Sequence, residues 1–206
     1  TSICDKIAAE YGCEMLSVLT GFKYIGEQIA RLEAKGESDR YVFGFEESYG
    51  YLIGTYVRDK DAVVASMMIC EMAAYYKSKG KALIDVLGDI YAKYGFYLNK
   101  TLSFTFAGAK GMTRMAELMG ELRTSAPAEI GGYKVIATDD YKLSVSTDIA
   151  TGAQKSIDLP KSDVITFRLE GGHTVIVRPS GTEPKVKAYL TAVAADEAAA
   201  EVVKDK

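Results

Sequence analysis

Apolar residues recur at helical spacing over residues 2–11 (Ile3, Ile7, Ala8, Tyr11), with Ser2 placed to cap the start and Gly12 to end the helix. Residues 14–19 read as a short strand. Residues 23–34 are amphipathic again, with Ile25, Ile29 and Leu32 on one side and Gly36 closing the helix. Residues 41–45 read as a second strand, running into the polar stretch 46–48. Helices alternating with strands predict a parallel, helix-covered sheet. Ligands of such sheets sit beyond the carboxyl ends of strands, where Thr20, Gly21 and residues 46–50 fall. Residues 61–79 predict a long helix with Asp59 as its candidate cap. Its apolar side carries Val64, Met67, Met68, Met72 and Tyr75, and a methionine stripe of this kind reads as core packing. Residues 81–94 form a further helix, ended by Gly95.

The pattern then changes. Residues 97–106 alternate as a strand, 111–123 read as a helix, and 133–137, 165–169, 174–177 and 186–192 read as strands. Residues 139–163, rich in Ser, Thr, Asp and Gly, predict loops with short strands, and 196–204 a final alanine-rich helix. The expected fold is therefore α/β followed by α+β. A three-layer α/β domain with a mixed sheet occupies residues 1–96, and a smaller α+β domain with a mainly antiparallel sheet occupies 97–206.

The chain has 206 residues, a formal net charge of -3 and 48% hydrophobic residues, the balance of a soluble globular protein. Weak acidity argues against a nucleic-acid partner or a membrane surface, either of which needs a basic face. No stretch is apolar enough to span a bilayer, and no signal-peptide pattern opens the chain. Three cysteines (Cys4, Cys13, Cys70) without metal-ligand spacing read as reduced thiols of a cytoplasmic protein. The single histidine, His173, follows two glycines and reads as a turn or edge-strand residue rather than a catalytic one.

The cations concentrate in residues 178–187, RPSGTEPKVK, directly after the hydrophobic run 174–177. Gly181 lets the backbone turn so that successive N–H groups face inward as an anion nest. Ser180 and Thr182 add hydroxyls, Lys187 adds charge, and Arg178 offers a two-pronged grip on phosphate oxygens. By composition alone, a solvated turn accounts for these residues equally well.

RPSGTEPKVK resembles the phosphate-binding loop of the last domain of the α-D-phosphohexomutases, the phosphoglucomutases and phosphomannomutases. Two upstream segments agree in order. Residues 44–50, GFEESYG, resemble the sugar-binding loop of that family's third domain, and residues 57–61, VRDKD, the segment that follows it. Residues 19–25, LTGFKYI, are similar to the family's sugar-specificity turn. The chain thus looks like the carboxy-terminal half of such an enzyme, its domains three and four.

The resemblance implies roles residue by residue. Glu47 and Ser48, with Glu46 adjacent, bind sugar hydroxyls, and Thr20, Gly21 and Lys23 form the specificity turn. Lys60 and, less directly, Arg58 support the catalytic end. Arg178, Ser180, Gly181, Thr182 and Lys187 hold the non-transferring phosphate. The family's phosphoserine and its Asp-x-Asp-x-Asp-Arg magnesium loop belong to domains one and two and have no counterpart here. No catalytic residue, metal site or cofactor is therefore expected in this chain. Mg2+ and glucose 1,6-bisphosphate are expected for the full-length parent, with a hexose phosphate as substrate and domains one and two as covalent partners. A phosphomannomutase or phosphopentomutase branch, a non-catalytic sugar-phosphate-binding protein and a structural module without ligand are the competing readings.

Overall fold

The computed structural model describes residues 1–47, 49–108 and 110–206. In chain order its elements are α1 (Ile3–Glu10), α2 (Phe22–Ala34), β1 (Gly44–Glu46), β2 (Gly50–Leu52), α3 (Ala62–Ser78), α4 (Leu83–Tyr94), β3 (Phe96–Thr105), α5 (Gly111–Thr124), β4 (Glu129–Ile130), β5 (Tyr133–Asp140), β6 (Val145–Asp148), β7 (Gln154–Ser156), β8 (Ile165–Leu169), β9 (Thr174–Pro179), β10 (Lys185–Ala194) and α6 (Glu197–Lys204). The chain is α/β in its first part and α+β, with an antiparallel sheet, in its second. It divides into two compact units, Leu16–Asp89 and Thr1–Met15 together with Ile90–Lys206. The first fifteen residues thus go with the C-terminal unit, held there by Lys6 Nζ donating to Tyr94 O (2.8 Å), the Tyr94 hydroxyl donating to Glu10 (2.6 Å), and the Glu10–Lys93 ion pair.

The smaller unit is built on α2. Its apolar stripe buries Phe22 and Ile29 against Leu52 of β2, with Ile25 and Tyr41 packed alongside. The Tyr41 hydroxyl donates to Leu52 O (3.1 Å), and burial pushes its pKa up to about 12. Four expectations for this part of the chain change. No strand forms over residues 14–19 among the described residues, because an apolar run becomes a strand only where a neighbour supplies a ladder. The pairing found is an antiparallel hairpin, Gly44 opposite Leu52, Phe45 opposite Tyr51 and Glu46 opposite Gly50, rather than a parallel sheet. The long helix is capped by Asp61, not Asp59: Asp61 Oδ1 accepts from the N–H groups of Val63 (2.7 Å) and Val64 (3.3 Å). The methionine stripe of α3 is also not core. No residue of the helix is buried, and Met67 and Met72 are exposed. A helix apolar on nearly every side has no single stripe to bury.

The larger unit is an antiparallel sheet in the order β3-β10-β9-β8-β5-β6-β7, with β4 added on β5. Strict alternation sorts its faces. Ile165, Phe167 and Leu169 of β8, Val175 and Val177 of β9 and Val186 of β10 point to one side. There they close over Met115 and Met119 of α5 and Val135 of β5. Each of these buried side chains contributes roughly 1.5–3 kcal/mol of transfer free energy. Helix α6 is capped by Asp196, which accepts from the Ala199 N–H (2.8 Å), and buries Ala200 completely. His173 is buried rather than at an exposed edge. Its Nδ1 accepts the Val193 N–H (3.0 Å), and its ring meets Tyr133 edge-on at 4.5 Å between centroids.

Candidate functional site

The segment 180–184 joins β9 to β10, and the strand register decides what surrounds it. Lys187 lies directly opposite Arg178, so both cations leave the sheet on the same face beside the loop. The loop is closed by Ser180 N–H donating to Lys185 O (2.7 Å) and Lys185 N–H donating to Glu183 O (2.7 Å). Ser180 Oγ accepts the N–H groups of Thr182 (3.4 Å) and Glu183 (3.2 Å). This corrects the expected anion nest. The amides after Gly181 face the serine oxygen, and Gly181 stays outside the left-handed region, so the serine rather than the glycine turns the chain. The Ser180 hydroxyl hydrogen remains available to donate outward.

Arg178, Pro179, Ser180, Gly181, Thr182 and Lys187 enclose a pocket of about 290 Å³. That is close to the ~300 Å³ lower end for small-ligand sites. Lys185 pairs with Glu183 at 3.3 Å. Arg178 and Lys187 form no ion pair with any described residue, so their charge faces the pocket unneutralised. Two uncompensated cations and two hydroxyls around such a volume suit one small, multiply charged anion.

The second set of candidates lies in the smaller unit, on the β1–β2 hairpin. Glu46 and Glu47 behave differently. Glu46 ends β1 with its side chain 9% exposed, and its Oε1 accepts from Lys60 Nζ at 2.5 Å. Glu47 sits in the turn and is exposed. Ser48 lies outside the described residues. The bond from Glu46 raises the Lys60 pKa above the ordinary ammonium value. Arg58 is directed elsewhere: its guanidinium donates to the carbonyls of Thr55 and Val57 and pairs with Glu33 of α2. The structure therefore brings Lys60 to the hairpin and ties Arg58 to the α2 side. Thr20 and Gly21 lead into α2, anchored by buried Phe22, while exposed Lys23 lies over the Tyr24 ring at 4.8 Å.

Sequence reasoning did not join Glu46 to Lys60, fourteen positions apart, because neither periodicity nor a local motif spans that gap. Asp61, which caps α3, reads in the sequence as the first residue of the helix and Asp59 as its cap. Among the described residues no group of three or more His, Cys, Asp or Glu side chains converges to hold a metal ion.

Comparison with known proteins gives the following. Residues 1–94 match the family description "Phosphoglucomutase/phosphomannomutase, alpha/beta/alpha domain III", and residues 127–205 match "Phosphoglucomutase/phosphomannomutase, C-terminal domain". A phosphoglucomutase of Staphylococcus epidermidis is 37% identical over 92% of this chain and 34% of its own length. One of Staphylococcus aureus (strain MRSA252) is 37% identical over 93% of this chain and 34% of its own. The chain thus spans about a third of the length of these relatives. The open form of the exocytosis-sensitive phosphoprotein pp63/parafusin, a phosphoglucomutase from Paramecium, has a similar fold. Its TM-score is 0.63 at 17% identity, covering 99% of this chain and 36% of that one.

Proposed function

The chain belongs to the phosphoglucomutase/phosphomannomutase family, and from that premise we propose that it is the substrate-recognition part of a phosphoglucomutase-type enzyme. That enzyme interconverts hexose 1-phosphate and hexose 6-phosphate through a hexose bisphosphate. The observation that carries this reading is the pocket between β9 and β10, where Arg178 and Lys187 stand unpaired beside Ser180 and Thr182. A mutase that binds its intermediate in two orientations needs one site that reads phosphate rather than sugar, and this pocket offers charge and hydroxyls. Glu46 and Glu47 of the hairpin, Ser48, Thr20 and Gly21 ahead of α2 and Lys23 in its first turn are the proposed sugar-recognition residues.

No metal ligand and no chemical step is assigned to the residues described. Within this proposal the phosphoryl carrier, the metal and the glucose 1,6-bisphosphate primer act with the remaining two-thirds of a family-length protein, in the cytoplasm. No helix among the described residues is long and apolar enough to cross a membrane. The chain alone is then expected to bind and not to turn over.

The test is calorimetric or NMR titration with glucose 6-phosphate, mannose 6-phosphate and inorganic phosphate, on the native chain and on Arg178→Ala. Loss of a charged, two-pronged contact costs about 1.5–3 kcal/mol, or roughly a 10- to 150-fold weaker phosphate affinity. Unchanged affinity in Arg178→Ala, or enzyme-like turnover by this chain, would refute the assignment.

A further inference from the structure

The contact between Glu46 and Lys60 is more than an incidental surface pair. Glu46 ends β1, Lys60 lies in the segment leading to α3, and Gly50 of β2 is the cross-strand partner of Glu46. A Cβ built on Gly50 would lie 2.6 Å from Glu46 Oε1, 2.8 Å from Glu46 Cγ and 2.8 Å from Lys60 Cδ. The backbone at Gly50 therefore lies against the Glu46 side chain and the lysine stem, and a side chain at this position would make one of them shift. Glu46 is held on three sides by strand β1, the Gly50 backbone and Lys60 Nζ. Its Oε2 accepts no hydrogen bond among the described residues. One oxygen is fixed, and the other is left to accept from outside.

We infer that Lys60 and Gly50 are positioning residues for the Glu46 carboxylate, holding it in place so that Oε2 can accept from a sugar hydroxyl. The inference rests on the proposed sugar-binding role of the hairpin and gives Lys60 a task there distinct from support of phosphoryl transfer. A lysine donating to one oxygen fixes the carboxylate without competing for a hydroxyl that donates to the other. Nothing in this arrangement needs the charge of Glu47, which stays exposed in the turn.

The test compares the native chain with Lys60→Met, Lys60→Arg and Gly50→Ala by NMR. Each is titrated with glucose 6-phosphate and with inorganic phosphate. Affinities are read separately from the amides of residues 44–52 and 178–187. The native chain is expected to bind glucose 6-phosphate more tightly than inorganic phosphate, with hexose-dependent shifts in residues 44–52. Lys60→Met is expected to lose roughly tenfold of that preference, while its affinity for inorganic phosphate at residues 178–187 stays unchanged. Gly50→Ala is expected to lose a similar factor although both charges remain, and Lys60→Arg to recover most of it. Circular dichroism and the dispersion of the remaining amides confirm that each variant is folded. A purely structural pair would lower stability without changing the hexose-to-phosphate ratio. A preference retained in both Lys60→Met and Gly50→Ala overturns this inference alone. A native chain without hexose preference overturns the hairpin reading and this inference with it.

Discussion

Arg123 offers the sharpest test of how the larger unit is held together. Its side chain is 12% exposed and reaches from α5 to two carboxylates. Nε donates to Asp140 Oδ2 at 3.1 Å, Nη1 donates to Met119 O at 3.2 Å, and Nη2 pairs with Asp163. The perturbation is Arg123→Met, which keeps the aliphatic stem and removes the charge. Breaking one side of a fully buried pair costs about 3–5 kcal/mol. Here two features lower that figure. Asp140 Oδ1 still accepts the N–H groups of Lys142 (2.9 Å) and Leu143 (3.2 Å), and Asp163 is 43% exposed, so that part of the network contributes at most ~1 kcal/mol. The expected loss is about 2–3 kcal/mol, which moves a urea midpoint down by roughly 1–1.5 M at a slope near 2 kcal/mol/M. The two units can unfold separately, so the midpoint should be paired with hydrogen exchange of the α5 and β5 amides, where the loss must appear. Arg31→Met, which removes an exposed i,i+4 pair with Glu27, serves as control and should change stability by no more than about 0.5 kcal/mol. If Arg123→Met stays within 0.5 kcal/mol of the native chain, the burial argument is refuted.

Two further outcomes are expected. Gly111→Ala should destabilise the start of α5 and the far limb of the phosphate loop. A Cβ there would stand 2.2 Å from Phe106 O and 2.9 Å from Pro184 Cβ, and the check is a lowered melting temperature with amide shifts at residues 106 and 184. His173 should make stability pH-dependent. Burial lowers its pKa against a weaker opposing pull from Glu170, and Nδ1 accepts the Val193 N–H only when unprotonated. Its contribution is therefore complete above the unfolded value of about 6.5 and is gone once the pH has fallen through the lowered folded value. A His173→Gln chain should lack this step as the pH falls below about 6.5 when urea midpoints are compared with the native chain, and identical pH profiles would contradict the account.

Most of the sheet of the larger unit was legible because β3, β5, β8, β9 and β10 announce themselves locally, whereas the short β4, β6 and β7 do not. Residues 165–169 alternate so regularly that the strand matches β8 end to end, and Gly171–Gly172 mark the turn before β9. Strand ends were less legible. The polar tail of β5, 138–140, pairs with β6 and β8 although its side chains carry no strand signal, because the ladder is made by the backbone. The smaller unit misled for the complementary reason. Residues 14–19 and the apolar faces of α3 carry the composition of buried elements, but burial is decided by what stands opposite. Val63, Met67 and Tyr75 each stay more than half exposed. Composition records what an element is suited to bury against and is silent on whether that partner is at hand.

The candidate site divides along the same line. The phosphate loop could be read from ten consecutive residues because its chemistry is local. The strand before it ends at Pro179, the cations sit within nine positions, and the hairpin register needs only a short turn to set Arg178 beside Lys187. Even there the sequence misplaced the cause of the turn. Glycine was credited with geometry that the Ser180 oxygen supplies through two amide hydrogen bonds, and a side chain acting on its own backbone leaves no spacing rule to read. The hairpin site was legible only as a string of residue types. That Glu46 is clasped and Glu47 free depends on Gly50 crossing over it and Lys60 arriving from fourteen residues away. Two adjacent glutamates are identical in sequence and opposite in environment. The difference is made by the one residue whose missing side chain lets the other two meet. A functional reading that stops at residue types would assign both carboxylates the same task, whereas the geometry gives only one of them a fixed direction.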